Sequence, residues 1–193
     1  MTTSLEPVAT QEITADTERL FIGLPIPERV GELLSSTFAL YPQYIETQVP
    51  RANWHLTLAK LGDVENPKQY YSRLLKPLPQ SFVPTVQLTH VGRGRPTRQL
   101  LWAFAEPTSV LLGLREQIVK RLKKMRFQFP PGELKQEYIP HITLAHLFPQ
   151  VGHVGIADAP TVTSFSVEAI NVYRSRNLNQ RSTYDIIDSI SLL

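Results

Sequence analysis

A chain of 193 residues with 42% hydrophobic, 9% aromatic and 19% charged residues is long enough to bury a sizeable core, and too apolar and too weakly charged to stay unfolded. It contains no cysteine, which excludes a disulfide framework, a thiolate zinc site, an iron–sulfur cluster and a cysteine nucleophile. The formal net charge of +3 is compatible with a polyanionic substrate without requiring one.

Residues 1–18 are rich in Thr, Glu and Asp, lack apolar periodicity, and are expected to form a flexible N-terminal segment ahead of a single bilobal domain at 19–193. They show neither a basic start nor an apolar stretch of the secretion type, and no apolar run in the chain approaches the roughly 18 residues of a membrane span. A cytoplasmic protein with no membrane contact is the expectation. Arg19 to Ile26 reads as a buried strand closed by Pro25 and Pro27, and Val30, Leu33, Leu34 and Phe38 then predict an amphipathic helix from Pro27 to about Leu40, stopped by Pro42. Trp54 to Leu61 predicts a strand ending at Gly62-Asp63, followed by a short helix near Pro67 to Lys76.

Phe82 to Val91 and Leu100 to Ala105 predict a hairpin whose connector carries Arg93, Arg95 and Arg98. Leu111, Leu114, Ile118, Leu122 and Met125 form one apolar stripe of a helix between Pro107 and Met125. Tyr138 to Leu147 predicts another strand, and Ser164 to Tyr173 and Ser182 to Leu192 two more around the polar turn Arg174 to Arg181. Strands interspersed with helices, several joined as hairpins, point to an α+β fold.

The most informative feature is a heptapeptide used twice. His55-Leu56-Thr57-Leu58-Ala59-Lys60-Leu61 and His141-Ile142-Thr143-Leu144-Ala145-His146-Leu147 share five identities and one Leu/Ile exchange. Each copy follows a strand–helix unit, so duplication into two pseudo-symmetric lobes of mainly antiparallel sheet, with flanking helices around a central cleft, is the simplest origin. Side chains alternate along a strand, so His55 and Thr57 project to one face, as do His141 and Thr143, while Leu56, Leu58, Ile142 and Leu144 turn into the core. A pseudo-twofold axis between the lobes would bring two imidazoles and two hydroxyls around a single group. By the same alternation His146 is expected on the face opposite His141.

Blander readings stand beside this one. A single strand histidine is commonly a hydrogen-bonded structural residue, and Thr alternating with Leu is ordinary strand composition. Two symmetric cores, however, have no need of His at the same place, because an unpartnered buried imidazole costs free energy. A metal site is the third reading, but two histidines without Cys or an obvious carboxylate partner leave coordination incomplete.

With its two His-x-Thr-x motifs, His55 to Leu58 and His141 to Leu144, the sequence resembles the 2H phosphoesterase superfamily, and within it the LigT-like RNA 2',3'-cyclic phosphodiesterases, also called 2'-5' RNA ligases. Arg19 to Leu24 before a Pro-Glu helix start, Asn53-Trp54 ahead of the first motif, Leu61-Gly62 after it, Leu101-Trp102-Ala103, Pro140-His141, and Tyr173, Ser175 and Tyr184 all fit that family's pattern. One departure concerns the position five residues after the second motif's His, often Arg in the family and here His146. A phosphate-contacting arginine would then come from elsewhere, with Arg93, Arg95 and Arg98 as candidates.

The resemblance implies hydrolysis of a 2',3'-cyclic phosphate, on RNA ends or nucleotides, to a 2'-phosphate. His55 would be the proton donor, His141 the proton acceptor, and Thr57 and Thr143 substrate-binding residues. No metal or other cofactor is expected, the reverse 2'-5' ligation is possible in principle, and one chain would complete the site as a monomer. A non-catalytic RNA-binding module, using the basic loop with Trp54 and Trp102 as stacking surfaces, is the alternative.

Overall fold

In a computed structural model, the chain is described for residues 17–67, 84–94, 99–150, 159–167, 169–178 and 181–192. The expected helix near Pro67 to Lys76 beyond Pro67 itself, the residues before Thr17, and Arg95 and Arg98 lie outside these. Among the described residues, nine strands form one sheet: β1 (Thr17–Pro25), β2 (Ile45–Gln48), β3 (His55–Glu65), β4 (Thr85–Arg93), β5 (Leu100–Ala105), β6 (His141–Leu147), β7 (Ala159–Ser166), β8 (Ala169–Leu178) and β9 (Arg181–Ser191). The α-helices among the described residues are α1 (Glu28–Ser36) and α2 (Ser109–Lys124). Among the described residues no helix is long and apolar enough to cross a membrane.

Helix α2 follows the expected stripe, burying Leu111, Leu114, Ile118, Val119 and Leu122. The Thr108 side chain caps its start by accepting from the Leu111 N–H, and Arg121, Lys123 and Lys124 oppose the dipole at its end. Helix α1 stops four residues short of the expected Leu40, and residues Thr37–Leu40 tighten into a 3-10 turn. The cause is local: the Ser35, Ser36 and Thr37 hydroxyls donate to the carbonyls of Gly31, Leu33 and Leu34 and compete with the helical ladder.

The strand order β7-β4-β5-β6-β3-β1-β8-β9 has its centre between β6 and β3, and every pairing is antiparallel. Read outward, β3-β1-β8-β9 is one lobe and β6-β5-β4-β7 the other, with β2 added beside β6. The units β1–α1–β3 and β5–α2–β6 are the two copies, as the repeat requires. Leu20, Ile22, Leu24, Leu56, Leu58, Leu101, Ile142, Leu144 and Phe165 join helix residues such as Leu34, Leu111 and Leu122 in one buried cluster. Each such side chain contributes about 1.5–3 kcal/mol by leaving water.

The last third of the chain departs from expectation. Ser164 to Tyr173 is not one strand: it is divided between β7, at one end of the sheet beside β4, and β8, beside β1 in the other lobe. The polar stretch read as a turn after Tyr173 continues as strand to Leu178, where Arg174 holds Glu18 at 2.7 Å and Asp185 at 3.0 Å. β3 likewise runs through Gly62-Asp63 to Glu65, Gly62 taking φ 71°.

Candidate active site

The two heptads carry the same burial pattern residue by residue. Leu56, Leu58, Ile142 and Leu144 are fully buried, while His55, Thr57, His141 and Thr143 are half-buried on the other face. β3 and β6 are joined through a single pair, Leu56 with Ile142. Extending that register by one residue sets His55 opposite Thr143 and Thr57 opposite His141, all on the face away from the core. The two histidines are then diagonal neighbours across that pair, near enough for the charge of His141 to act on His55. The four residues thus share the outer face at the junction of the two lobes.

Both imidazoles are held in the same way. The His55 Nδ1–H donates to the Asn53 carbonyl at 2.7 Å, and the His141 Nδ1–H to the Ile139 carbonyl at 2.6 Å. Asn53 is itself anchored, its side-chain amide donating to the Ser182 carbonyl at 2.7 Å. Holding Nδ1 leaves each Nε2 as the working atom, a base when bare and an acid when protonated.

The ring environments differ. Phe21 lies 4.4 Å from His55 between centroids, Tyr184 meets it edge-on at 5.1 Å, and Tyr173 approaches at 5.4 Å. His141 instead has Trp102 flat against it, 3.6 Å between centroids and 15° between planes. Burial pushes the His55 imidazolium down to about 4, and His141 is lowered by the same cause, so the neutral form of both rings is favoured at pH 7.

A β-bulge interrupts each heptad at the same place. Ile22 pairs with Ala59 but Gly23 with Thr57, leaving Leu58 extra. Leu101 pairs with Ala145 but Trp102 with Thr143, leaving Leu144 extra. The bulge turns two successive apolar residues inward and returns the sixth position to the outer face. His146 therefore lies on the same face as His141, contrary to simple alternation, and so does Lys60 with respect to His55. The carbonyls freed by the bulges are satisfied: Leu58 by the Arg115 guanidinium at 3.1 Å and Leu144 by the Val49 N–H at 2.9 Å. The hydroxyl of Tyr138 donates to the Thr57 carbonyl at 2.8 Å.

By register Arg93 stands on the core side of the sheet, since it pairs with the buried Leu101, whereas Gly92 pairs with Trp102. Beside His141, its cross-strand partner Phe104 opens a hollow of about 580 Å³ shared with Thr89, His90, Glu106, Glu137 and Tyr138. His90 is stacked on Phe104 at 4.4 Å. Among the described residues no group of three or more His, Cys, Asp or Glu is gathered as a metal would need. Sequence reasoning missed the rings of Phe21 and Phe104 and the return of Lys60 to the outer face. The doublets Leu58-Ala59 and Leu144-Ala145, two apolar residues in an alternating pattern, are the signal for the last.

The sequence profile of the 2'-5' RNA ligase superfamily matches residues 27–177. Among solved structures, E. coli LigT complexed with NADP+ is similar with a TM-score of 0.72 at 23% identity, covering 92% of this chain and 98% of that one. The same protein complexed with phosphate gives 0.71 at 21%, with the same coverage. TT0787 of Thermus thermophilus gives 0.73 at 25%, covering 90% and 97%. No curated protein matches by sequence.

Proposed function

The chain belongs to the 2'-5' RNA ligase superfamily, a group of 2H phosphoesterases, and from that premise we propose that it hydrolyses 2',3'-cyclic phosphates of RNA ends or nucleotides to 2'-phosphates without a metal. The observation that carries the reading is the pair of imidazoles with Nδ1 tied to backbone carbonyls, set diagonally across the Leu56–Ile142 pair. His141 Nε2 takes a proton from water as the water oxygen bonds to phosphorus. The bond from phosphorus to the ribose 3'-oxygen breaks, and His55 Nε2–H protonates that oxygen. Solvent then removes the proton from His141 and reloads His55.

Burial favours neutral rings, and His55 most strongly. An anionic phosphodiester between them favours the imidazolium, so the proton on His55 arrives with the substrate. Thr57 and Thr143 donate hydroxyl hydrogen bonds to the non-bridging oxygens and hold the charge that grows on them. Each positioned proton transfer supplies roughly 10²–10⁴-fold. A ribose 5'-hydroxyl in place of water would give a 2'-5' linkage, but water is present in excess. Both histidines come from one chain, so a monomer suffices.

Incubation with 2',3'-cyclic AMP, 2',3'-cyclic GMP and cyclic-phosphate-ended RNA, with products identified by ³¹P NMR, tests this reading. A 2'-phosphate product supports it. Salt-dependent RNA binding without turnover would instead favour a binding module.

A further inference from the structure

We propose that Lys60 is the cation that grips the substrate phosphate, a role for which the histidines and threonines supply no fixed charge; this rests on the phosphodiester reading above. The argument begins with register. Lys60 is the cross-strand partner of Phe21, and partners share a face. Phe21 packs against His55 on the outer face, so Lys60 stands on that face too, beyond Thr57. Without the bulge at Leu58 its side chain would point into the core. With it, Lys60 is exposed and about 7 Å along the strand from Thr57, a distance its flexible four-carbon stem covers.

No carboxylate among the described residues pairs with the Lys60 ammonium. Glu133, which comes close to this stretch of β3, is engaged by the Lys60 backbone N–H at 3.1 Å and lies 3.9 Å from Arg115. The positive charge of Lys60 acts on both rings, since it helps to lower His55 on β3 and His141 on β6 alike. A single ammonium felt by both is in place for an anion held between them. The equivalent position of β6 carries His146, so the two walls of the cleft are chemically unequal. Tyr173 and Tyr184, whose ionisation burial disfavours, are the other titratable groups around His55.

An ammonium there neutralises the bound phosphodiester and the further charge that develops as water attacks. It also opposes imidazolium formation until an anion has arrived, which couples protonation to occupancy.

Inorganic phosphate is the probe, titrated into the folded protein at pH 7 while the Cε1–H resonances of His55 and His141 are followed, with cyclic-phosphate turnover measured in parallel. Lys60→Gln should weaken phosphate binding roughly tenfold to a hundredfold, and Lys60→Arg should largely restore it. In phosphate-free Lys60→Gln both histidine resonances should titrate at higher pH than in wild type, a change that lost surface packing alone would not cause. Unaltered phosphate affinity in Lys60→Gln, or no phosphate binding by wild type, overturns the assignment. Lys60-dependent phosphate binding without turnover supports it while removing the phosphodiesterase reading.

Discussion

Trp102 lies flat on His141, ring centroids 3.6 Å apart, and it can do so because residue 94 is glycine. A Cβ at Gly94 would come within 2.5 Å of the indole, so Gly94→Ala must displace the ring that braces the imidazole. Overpacking of this kind costs about 1–3 kcal/mol. Gly94→Ala is expected to lose stability in urea denaturation and to lower kcat, whereas Trp102→Phe, which keeps a flat ring and relieves the crowding, should retain more activity.

The hollow beside His141 is expected to receive the nucleoside, with the Phe104 ring as a stacking surface. Base stacking on an aromatic ring is worth roughly 1–3 kcal/mol. Phe104→Ala should therefore raise KM for a 2',3'-cyclic nucleotide about tenfold while changing kcat much less. A fall in kcat with unchanged KM would place the nucleoside elsewhere.

Protonation of His55 links the site to stability. Its folded value of about 4 lies below the ordinary 6.5, so between those two pH values the unfolded chain binds more protons than the native one. Stability present above pH 6.5 should fall as the solution is acidified towards 4, by on the order of 3 kcal/mol from this residue, and His141 acts in the same direction. Urea midpoints at pH 7 and pH 4.5 should differ less in His55→Gln than in wild type; equal acid sensitivity would contradict the burial of His55.

Much of the site is legible in the sequence because the repeat fixes chemistry and face together: His and Thr at alternate positions, with Leu and Ile between them, leave one geometry for a strand. The fold class follows from strand–helix spacing. What the sequence hides is non-local. Ser164 to Tyr173 has continuous strand character, and nothing local says that its two ends belong to different lobes. The bulges reverse the parity of Lys60 and His146, and only the cross-strand register shows it, although the doubled apolar residues hint at it. Phe21 reads as plain core in an apolar run, yet its ring meets His55.

The proposed reaction relies on proton transfer, hydrogen bonding and the charge of protein side chains, so turnover should be unchanged by EDTA. Loss of activity on chelation, restored by a divalent cation, would call for a different chemistry at the same residues.

A double-mutant comparison asks directly whether the two imidazoles act on one phosphorus. His55→Ala and His141→Ala should each reduce kcat for a 2',3'-cyclic nucleotide by roughly 10²–10⁴ with the fold retained by circular dichroism, and the double variant should be little worse than either single one. Losses that multiply in the double variant, or a single variant that keeps wild-type turnover, would contradict a shared site.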